Sequence, residues 1–252
     1  MENFVKVYED VDHVNSYLKE KDLQKPEQNI LKKYSDKFKN AILLDIGIGT
    51  GRTTYHFAPI VDTYIGTDIS QGMINGAKTN FKNQNLEFLV SDARSMPEFS
   101  DNTFDVVFFS FNGLDYIEID ERILFFNEVK RICKPNALLV FSTHNILNIP
   151  LLMKFKFSFH PIYLLGNLIQ YFKLKSHNKH LDLINKKVIK INDGAHNFGL
   201  NTTYINPIYQ KQLLESYNFK DICCFGSSNG NQIDINDLPK TLDPWVYFTC
   251  IV

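Results

Sequence analysis

Apolar and polar positions change period along the chain. In "PEQNILKKYSDKF" Ile30, Leu31, Tyr34 and Phe38 recur at helical spacing and Pro26 suits a first turn, so residues 1–40 read as an amphipathic helical cap. From residue 41 short apolar runs alternate with helix-period stretches. Strands are expected at 41–46, 63–68, 86–91, 104–111 and 137–143, with helices at 50–58, 70–82 and 119–133. Ser70 is placed to cap the second of these helices. The runs at 104–111 and 137–143 are apolar on both faces, as central parallel strands covered on both sides must be. The rhythm stops over 146–203 and resumes with a helix at 207–217 and strands at 220–227 and 245–252. This pattern predicts an α/β fold: a three-layer, doubly wound sheet, mostly parallel with an antiparallel edge strand. The chain reads as one domain, with a cap (1–40), a core (41–145), an insertion or lid (146–203), and a C-terminal helix with edge strands (204–252).

Composition narrows the function classes. With 27 basic and 28 acidic residues the net charge is −1, which gives no global attraction to nucleic acid. Cys133, Cys223, Cys224 and Cys250 show no metal-ligand spacing and read as small buried apolar residues; no metal is expected. No cationic leader precedes an apolar core at the N-terminus. The run "FSFHPIYLLGNLIQYF", 157–172, is shorter than the roughly 20 apolar residues a membrane span needs. A soluble, cytoplasmic protein, monomer or homodimer, is the expectation.

The first strand leaves through "LLDIGIGTGRTTYHF", in which Gly47, Gly49 and Gly51 alternate. In an open α/β sheet, ligands bind beyond the carboxyl ends of the strands, and a glycine turn there lets one approach the backbone. A phosphate-cradling P-loop needs Gly-Lys-Ser/Thr, but Arg52 follows Gly51; a G-x-G-x-x-G dinucleotide turn needs glycine where Arg52 stands. Asp45 would repel a pyrophosphate, yet it suits an ammonium group, or alternatively the amides of the loop.

Here the sequence resembles the class I S-adenosylmethionine (SAM)-dependent methyltransferases, which have a Rossmann-like sheet. The "DIGIGTG" turn is followed in order by "YIGTDIS", "VSDARSMP", "DVVFFSFNGLDYI" and "EVKRICKPNALLVFSTHN". The resemblance implies SAM as cofactor, with Asp45, Gly47, Gly49 and Gly51 at its amino-acid end. Asp68, with Ile69 beside it, would take the ribose hydroxyls, Asp92 the adenine amino group, and Ala93 the ring. Ser110, Phe111 and Asn112 would stand near the methionine part. Asp68 and Asp92 have a plainer alternative, as caps of the next helix or turn. Asn136-Ala137 departs from the Gly-Gly of many relatives. A narrower likeness, carried by "FSFNGLDYI", "STHN", "TYINPIYQKQLLESYNF" and "DPWVYFTCIV", is to bacterial methyltransferases of surface-polysaccharide biosynthesis. It implies a sugar hydroxyl, or a phosphorylated or nucleotide-linked precursor of capsule or lipopolysaccharide, as the small-molecule acceptor.

A hydroxyl acceptor benefits from a base. His144 just past the fifth strand, His196 between Gly194 and Gly199, and His13 in the N-terminal helix are the candidates. Asp115, Tyr116, Asn145 and Tyr204 are candidates to position the acceptor; Asp115 and Tyr116 serve equally well as caps of the helix near Glu118. The aromatic stretch 155–172 is either a lid or core, and the lysines from Lys154 to Lys187 are either an acceptor rim or a solvated face. Methyl transfer to a nitrogen or a phenolic oxygen of another small metabolite is the alternative, and a non-catalytic SAM-binding scaffold is the rival from another class. The absent Asn/Asp-Pro-Pro-Tyr/Phe motif argues against nucleic-acid methylation.

Overall fold

A computed structural model describes residues 21–252, apart from the His196 side chain. The first half of the expected N-terminal cap and His13 lie outside the described residues. In chain order the elements are α1 (Lys25–Lys33), α2 (Ser35–Phe38), β1 (Ile42–Ile46), α3 (Thr54–Phe57), β2 (Thr63–Asp68), α4 (Gln71–Asn80), β3 (Glu87–Val90) and β4 (Phe104–Phe109). There follow α5 (Arg122–Ile132), β5 (Cys133–Asn145), α6 (Ile149–Leu152), α7 (Pro161–His177), β6 (Val188–Ile191), β7 (Thr202–Ile205), α8 (Pro207–Ser216), β8 (Lys220–Gly226), β9 (Gln232–Ile233) and β10 (Trp245–Ile251).

The strands form one sheet in the order β3-β2-β1-β4-β5-β10-β8-β9. Strands β3, β2, β1, β4 and β5 run parallel, and β10 is antiparallel to both β5 and β8. Chain order reverses between β1 and β4, the switch point beside which such sheets bind ligands. The expected antiparallel edge is formed by β10 and β8, which pair with each other, and by the short strand β9 outermost.

Alternation along the central strands divides the core into two layers. Leu43, Val106, Phe108, Leu138 and Val140 face Ile30, Phe38, Phe57, Ile74 and Ala77 of α1–α4. Leu44, Val107, Leu139 and Phe141 face Phe125, Phe126 and Val129 of α5 and Leu214 of α8. This two-sided burial explains why β4 and β5 lack a polar face. Ser70 caps α4 as expected, accepting from the Met73 amide at 3.2 Å.

Two regions differ from the sequence reading. After the glycine turn the expected helix at 50–58 shortens to α3, because Gly51 near its start has φ +94°. The insertion contains regular structure: α6, α7 and the antiparallel hairpin β6–β7. Strand β7 joins the sheet by pairing with the tip of β5 in the register His144↔Tyr204 and Asn145↔Ile205. Among the described residues no helix is long and apolar enough to cross a membrane.

Candidate active site

A cleft opens above the carboxyl ends of β1, β2, β3 and β4. Gly47 and Gly49 form one side, Asp68, Ile69 and Met73 the next, and Asp92 and Ala93 the third. Phe109, Ser110, Phe111, Gly113, Tyr116 and Ile117 close the remaining wall. Most of the expected cofactor residues are thus brought together.

The glycine turn has a steric reason. Gly47 (φ +65°), Gly49 (φ +56°) and Gly51 (φ +94°) all lie in the left-handed region. The Phe109 ring leaves no room beside the turn: a Cβ on Gly47 would come within 2.9 Å of it, and one on Gly113 within 2.2 Å. One aromatic side chain therefore wedges the first-strand turn against the fourth-strand turn. Beyond it, Phe111 (φ +54°) and Asn112 (φ +63°) are consecutive non-glycine residues in the left-handed region. Such backbone persists only where its surroundings over-determine it, and it is concentrated at functional sites.

The carboxylate of Asp68 accepts from the Gly49 amide at 2.9 Å and from the Ser70 amide at 2.9 Å. It ties the glycine turn to the start of α4 while its rim stays on the cleft. Burial pushes its carboxyl up, against the lowering effect of these backbone donors. Asp92 is held differently. Arg94 donates to both its oxygens, with Nη2 at 2.6 Å, and also bonds Glu121 through Nη1 at 2.5 Å. Although partial burial raises the Asp92 carboxyl, these hydrogen bonds outweigh it and hold the group below its usual range. An adenine amino group would therefore share the Asp92 oxygens with Arg94, a partner the sequence reading missed; its position two residues after Asp92 was the available signal.

Asp45 requires a correction. Expected to face the amine of a ligand, it does not line the cleft. It is fully buried, and its Oδ2 accepts from the Thr53 hydroxyl at 2.5 Å and the Tyr64 hydroxyl at 2.8 Å. Burial pushes its carboxyl up to about 7, opposed by those two hydroxyls. The side chain anchors the turn from beneath. Facing the solvent side of the same turn, Arg52 makes a bidentate pair with Glu27 of α1 at 2.6 and 2.7 Å. Its Nη2 also reaches the Ser110 hydroxyl at 3.2 Å, and its guanidinium lies 5.4 Å from the Phe111 ring centroid. Glu27 is buried and accepts from the Tyr247 hydroxyl at 2.8 Å. The residue that excluded a dinucleotide turn is thus the strut joining α1, the glycine turn and the end of β4.

His144 stands at the end of β5, its ring 4.8 Å from that of Tyr204 and 6.2 Å from that of Trp245. Its Nδ1 lies 2.8 Å from Asp115 Oδ2, which also accepts from the His144 amide at 2.7 Å. Asp115 is fully buried; its other oxygen accepts from Arg122 at 3.0 Å and from the Thr143 hydroxyl. With every other Asp115 contact coming from a donor, the carboxylate is the acceptor, and the imidazole proton resides on Nδ1. The lone pair of Nε2 then points away from Asp115, at a long 3.4 Å from Asn112 Nδ2. Asn112 Oδ1 is buried without a hydrogen-bond partner among the described residues.

Two more expectations for the acceptor are corrected by this geometry. Asp115, with no exposed surface, positions His144 instead of meeting a ligand. Asn145 is equally buried and ties β5 to the carbonyls of Thr241 and Asp243 at 2.9 and 3.0 Å. Tyr204 is buried and donates to Asp193 at 3.2 Å, leaving its ring against His144. Tyr116 lines the cleft. The backbone of His196 lies in a short 3-10 turn, Ala195–Phe198; its side chain is outside the described structure.

Comparison with known proteins places this geometry in context. The profile of the methyltransferase domain family matches residues 43–136, the segment from β1 into the start of β5. The demethylmenaquinone methyltransferase of Bacteroides fragilis is 27% identical over 146 residues, 55% of this chain and 56% of that protein. The ubiquinone/menaquinone biosynthesis C-methyltransferase UbiE of Desulfotalea psychrophila is 33% identical over 101 residues, 38% of each chain. The chain thus matches about half or less of the length of these curated relatives. Among solved structures, a Burkholderia thailandensis 1,6-didemethyltoxoflavin-N1-methyltransferase, with its substrate and S-adenosylhomocysteine bound, superposes with a TM-score of 0.60. Identity there is 13%, with 99% of this chain and 85% of that chain covered. The fold is that of the SAM-dependent methyltransferases.

Proposed function

We propose that this protein is a SAM-dependent O-methyltransferase whose acceptor is a hydroxyl of a small polar molecule. The observation that carries the choice of a hydroxyl is the Asp115–His144 pair, which turns imidazole Nε2 away from the carboxylate and towards Asn112; His144 does not itself line the cleft, and Asn112 follows the lining residue Phe111. The cleft itself fits the cofactor. Positive-φ glycines open the backbone at one end, a carboxylate rim stands at Asp68, and Ile69, Met73, Ala93 and Ile117 offer an apolar slot for a base.

In this reading the Gly47–Gly49 backbone and Ser110 receive the amino-acid end, and Asp68 accepts the ribose hydroxyls. Ala93 and Ile69 flank the adenine, with Asp92 held in place by Arg94. SAM, when bound, supplies an electrophilic methyl carbon on a sulfonium sulfur. His144 Nε2 would take the proton of the acceptor hydroxyl as a C–O bond to that carbon formed and its C–S bond broke. Asp115 keeps the imidazole in the required tautomer and stabilises the imidazolium that results. Much of the acceleration in such a displacement comes from alignment, which the rigid Phe109–Gly113 turn and the Tyr204 ring supply.

A sugar hydroxyl, or a phosphorylated or nucleotide-linked sugar of the bacterial surface, is the acceptor class supported by the narrower sequence likeness. A screen of radiolabelled methyl transfer over nucleotide sugars, sugar phosphates and phenols tests this. Transfer to the first two, abolished in His144→Ala, is expected. Transfer solely to nitrogen or carbon acceptors, including quinols, would remove the O-methylation reading. Cofactor binding without any turnover would favour a scaffold.

A further inference from the structure

Helix α7 is apolar on the side it turns to solvent. Leu164, Leu168, Tyr171 and Leu174 form its buried or half-buried side. Ile162, Leu165, Ile169 and Phe172, at helical spacing on the opposite side, are 74%, 60%, 51% and 64% exposed. The loop leading into the helix continues this surface with Phe157 and Phe159, the latter 96% exposed. A surface helix of a water-soluble protein normally reverses this arrangement, and a contiguous exposed apolar face marks an interaction site.

The charge around it selects the partner. Between Glu128 and Asp182 the chain has no acidic residue, although the whole chain is slightly negative. Lys154, Lys156, Lys173, Lys175 and Lys179 are all exposed on α7 and its flanking loops, and none is in an ion pair among the described residues. None of them lines the cleft. At 17 residues α7 is too short and too interrupted to span a bilayer. Against a second copy of this chain, the same surface would set lysines against lysines.

We propose that the outer face of α7, with the Phe157–Phe159 loop, docks in the plane of an anionic lipid bilayer. The aromatic and aliphatic side chains enter the acyl boundary and the lysines meet the headgroups, the arrangement of interfacial helices. This inference is independent of the methyl acceptor's identity.

The full-length chain is tested by flotation with vesicles of phosphatidylglycerol and phosphatidylcholine, and with phosphatidylcholine alone. Binding to the anionic vesicles, weakened by raising the salt, is expected. Ile162→Glu/Ile169→Glu and Lys154→Glu/Lys156→Glu should each weaken it about ten-fold or more, with unchanged melting temperature and cofactor affinity. Three results would each overturn the proposal: no flotation with anionic vesicles, equal flotation with neutral ones, or wild-type binding by both charged variants. So would a dimer in sedimentation that Ile162→Glu/Ile169→Glu converts to monomer, since the face would then join two copies.

Discussion

Asp115 Oδ2 lies 2.8 Å from His144 Nδ1 although the two residues come from different strand ends, one after β4 and one closing β5. The bond fixes which imidazole nitrogen is free. Replacing Asp115 with Asn presents a mixed donor and acceptor to Nδ1 and removes the carboxylate that stabilises the imidazolium. The expected result is a fall in kcat of about 10²–10⁴-fold with nearly unchanged cofactor affinity. Single-turnover methyl transfer and calorimetric titration of SAM check it. A folded Asp115→Asn enzyme with full kcat would show that His144 is not the base.

Asp68 joins the cofactor rim to two backbone amides. Asp68→Ala should weaken SAM and S-adenosylhomocysteine binding by at least about ten-fold, because each lost charge-assisted hydrogen bond contributes about 1.5–3 kcal/mol. Calorimetry on both ligands measures this directly. Wild-type affinity would remove Asp68 from the ribose.

The Glu27–Arg52 pair is buried on the Glu27 side, with side-chain exposures of 0% and 12%. Removing one partner leaves the other charged without compensation. Glu27→Ala is expected to destabilise the fold by about 3–5 kcal/mol, seen as a lower midpoint in urea unfolding. Because Arg52 also touches Ser110, the same variant should bind SAM less tightly.

Asp45 should give the folded protein a distinctive pH dependence. Its folded pKa of about 7 lies above the ordinary carboxyl value of 3.8, so the native state holds a proton that the unfolded chain releases between these limits. Stability is therefore greatest, as far as this group is concerned, below about pH 4, falls as pH rises towards 7, and levels off above it. Asp92 acts in the opposite sense: its lowered pKa stabilises above the unfolded value and is lost on acidification. Asp45→Asn should flatten the decline between pH 4 and 7 in urea midpoints while leaving the acid limb. An undiminished decline would assign it to another group.

Gly113→Ala would place a Cβ 2.2 Å from the Phe109 ring. Gly47 packs against the same edge of the ring, so the ring has little room to yield in that direction. A loss of roughly 1–3 kcal/mol is expected, with weaker cofactor binding because Phe109 lines the cleft. Thermal unfolding with and without SAM separates the two effects.

Most residues that line the cleft were legible because their constraints are local. A glycine at positive φ, or an acid at a strand end, sits within a few residues of the pattern that reveals it, as Gly47, Gly49 and Asp68 do. The errors arose where a side chain is satisfied by residues far away in sequence. Asp45 is claimed by Tyr64, Asp115 by Thr143 and His144, and Asn145 by carbonyls in the 241–243 loop. Each is a polar residue at a strand end, and periodicity cannot tell one that faces a cleft from one that braces a loop. The insertion was opaque for a related reason. Its strands are four residues each, and β7 is held by a hairpin partner and the tip of β5, not by a long alternating pattern of its own.

The short ladder between β5 and β7 divides labour within a single sheet. Everything expected to grip the methyl donor stands on β1 to β4, whereas the insertion meets the sheet through His144↔Tyr204 and Asn145↔Ile205. A change in the insertion therefore reaches the end of β5 first, through the Tyr204 ring against His144. In the proposed reading, the residues that hold the methyl donor and those that select its destination would meet at that histidine.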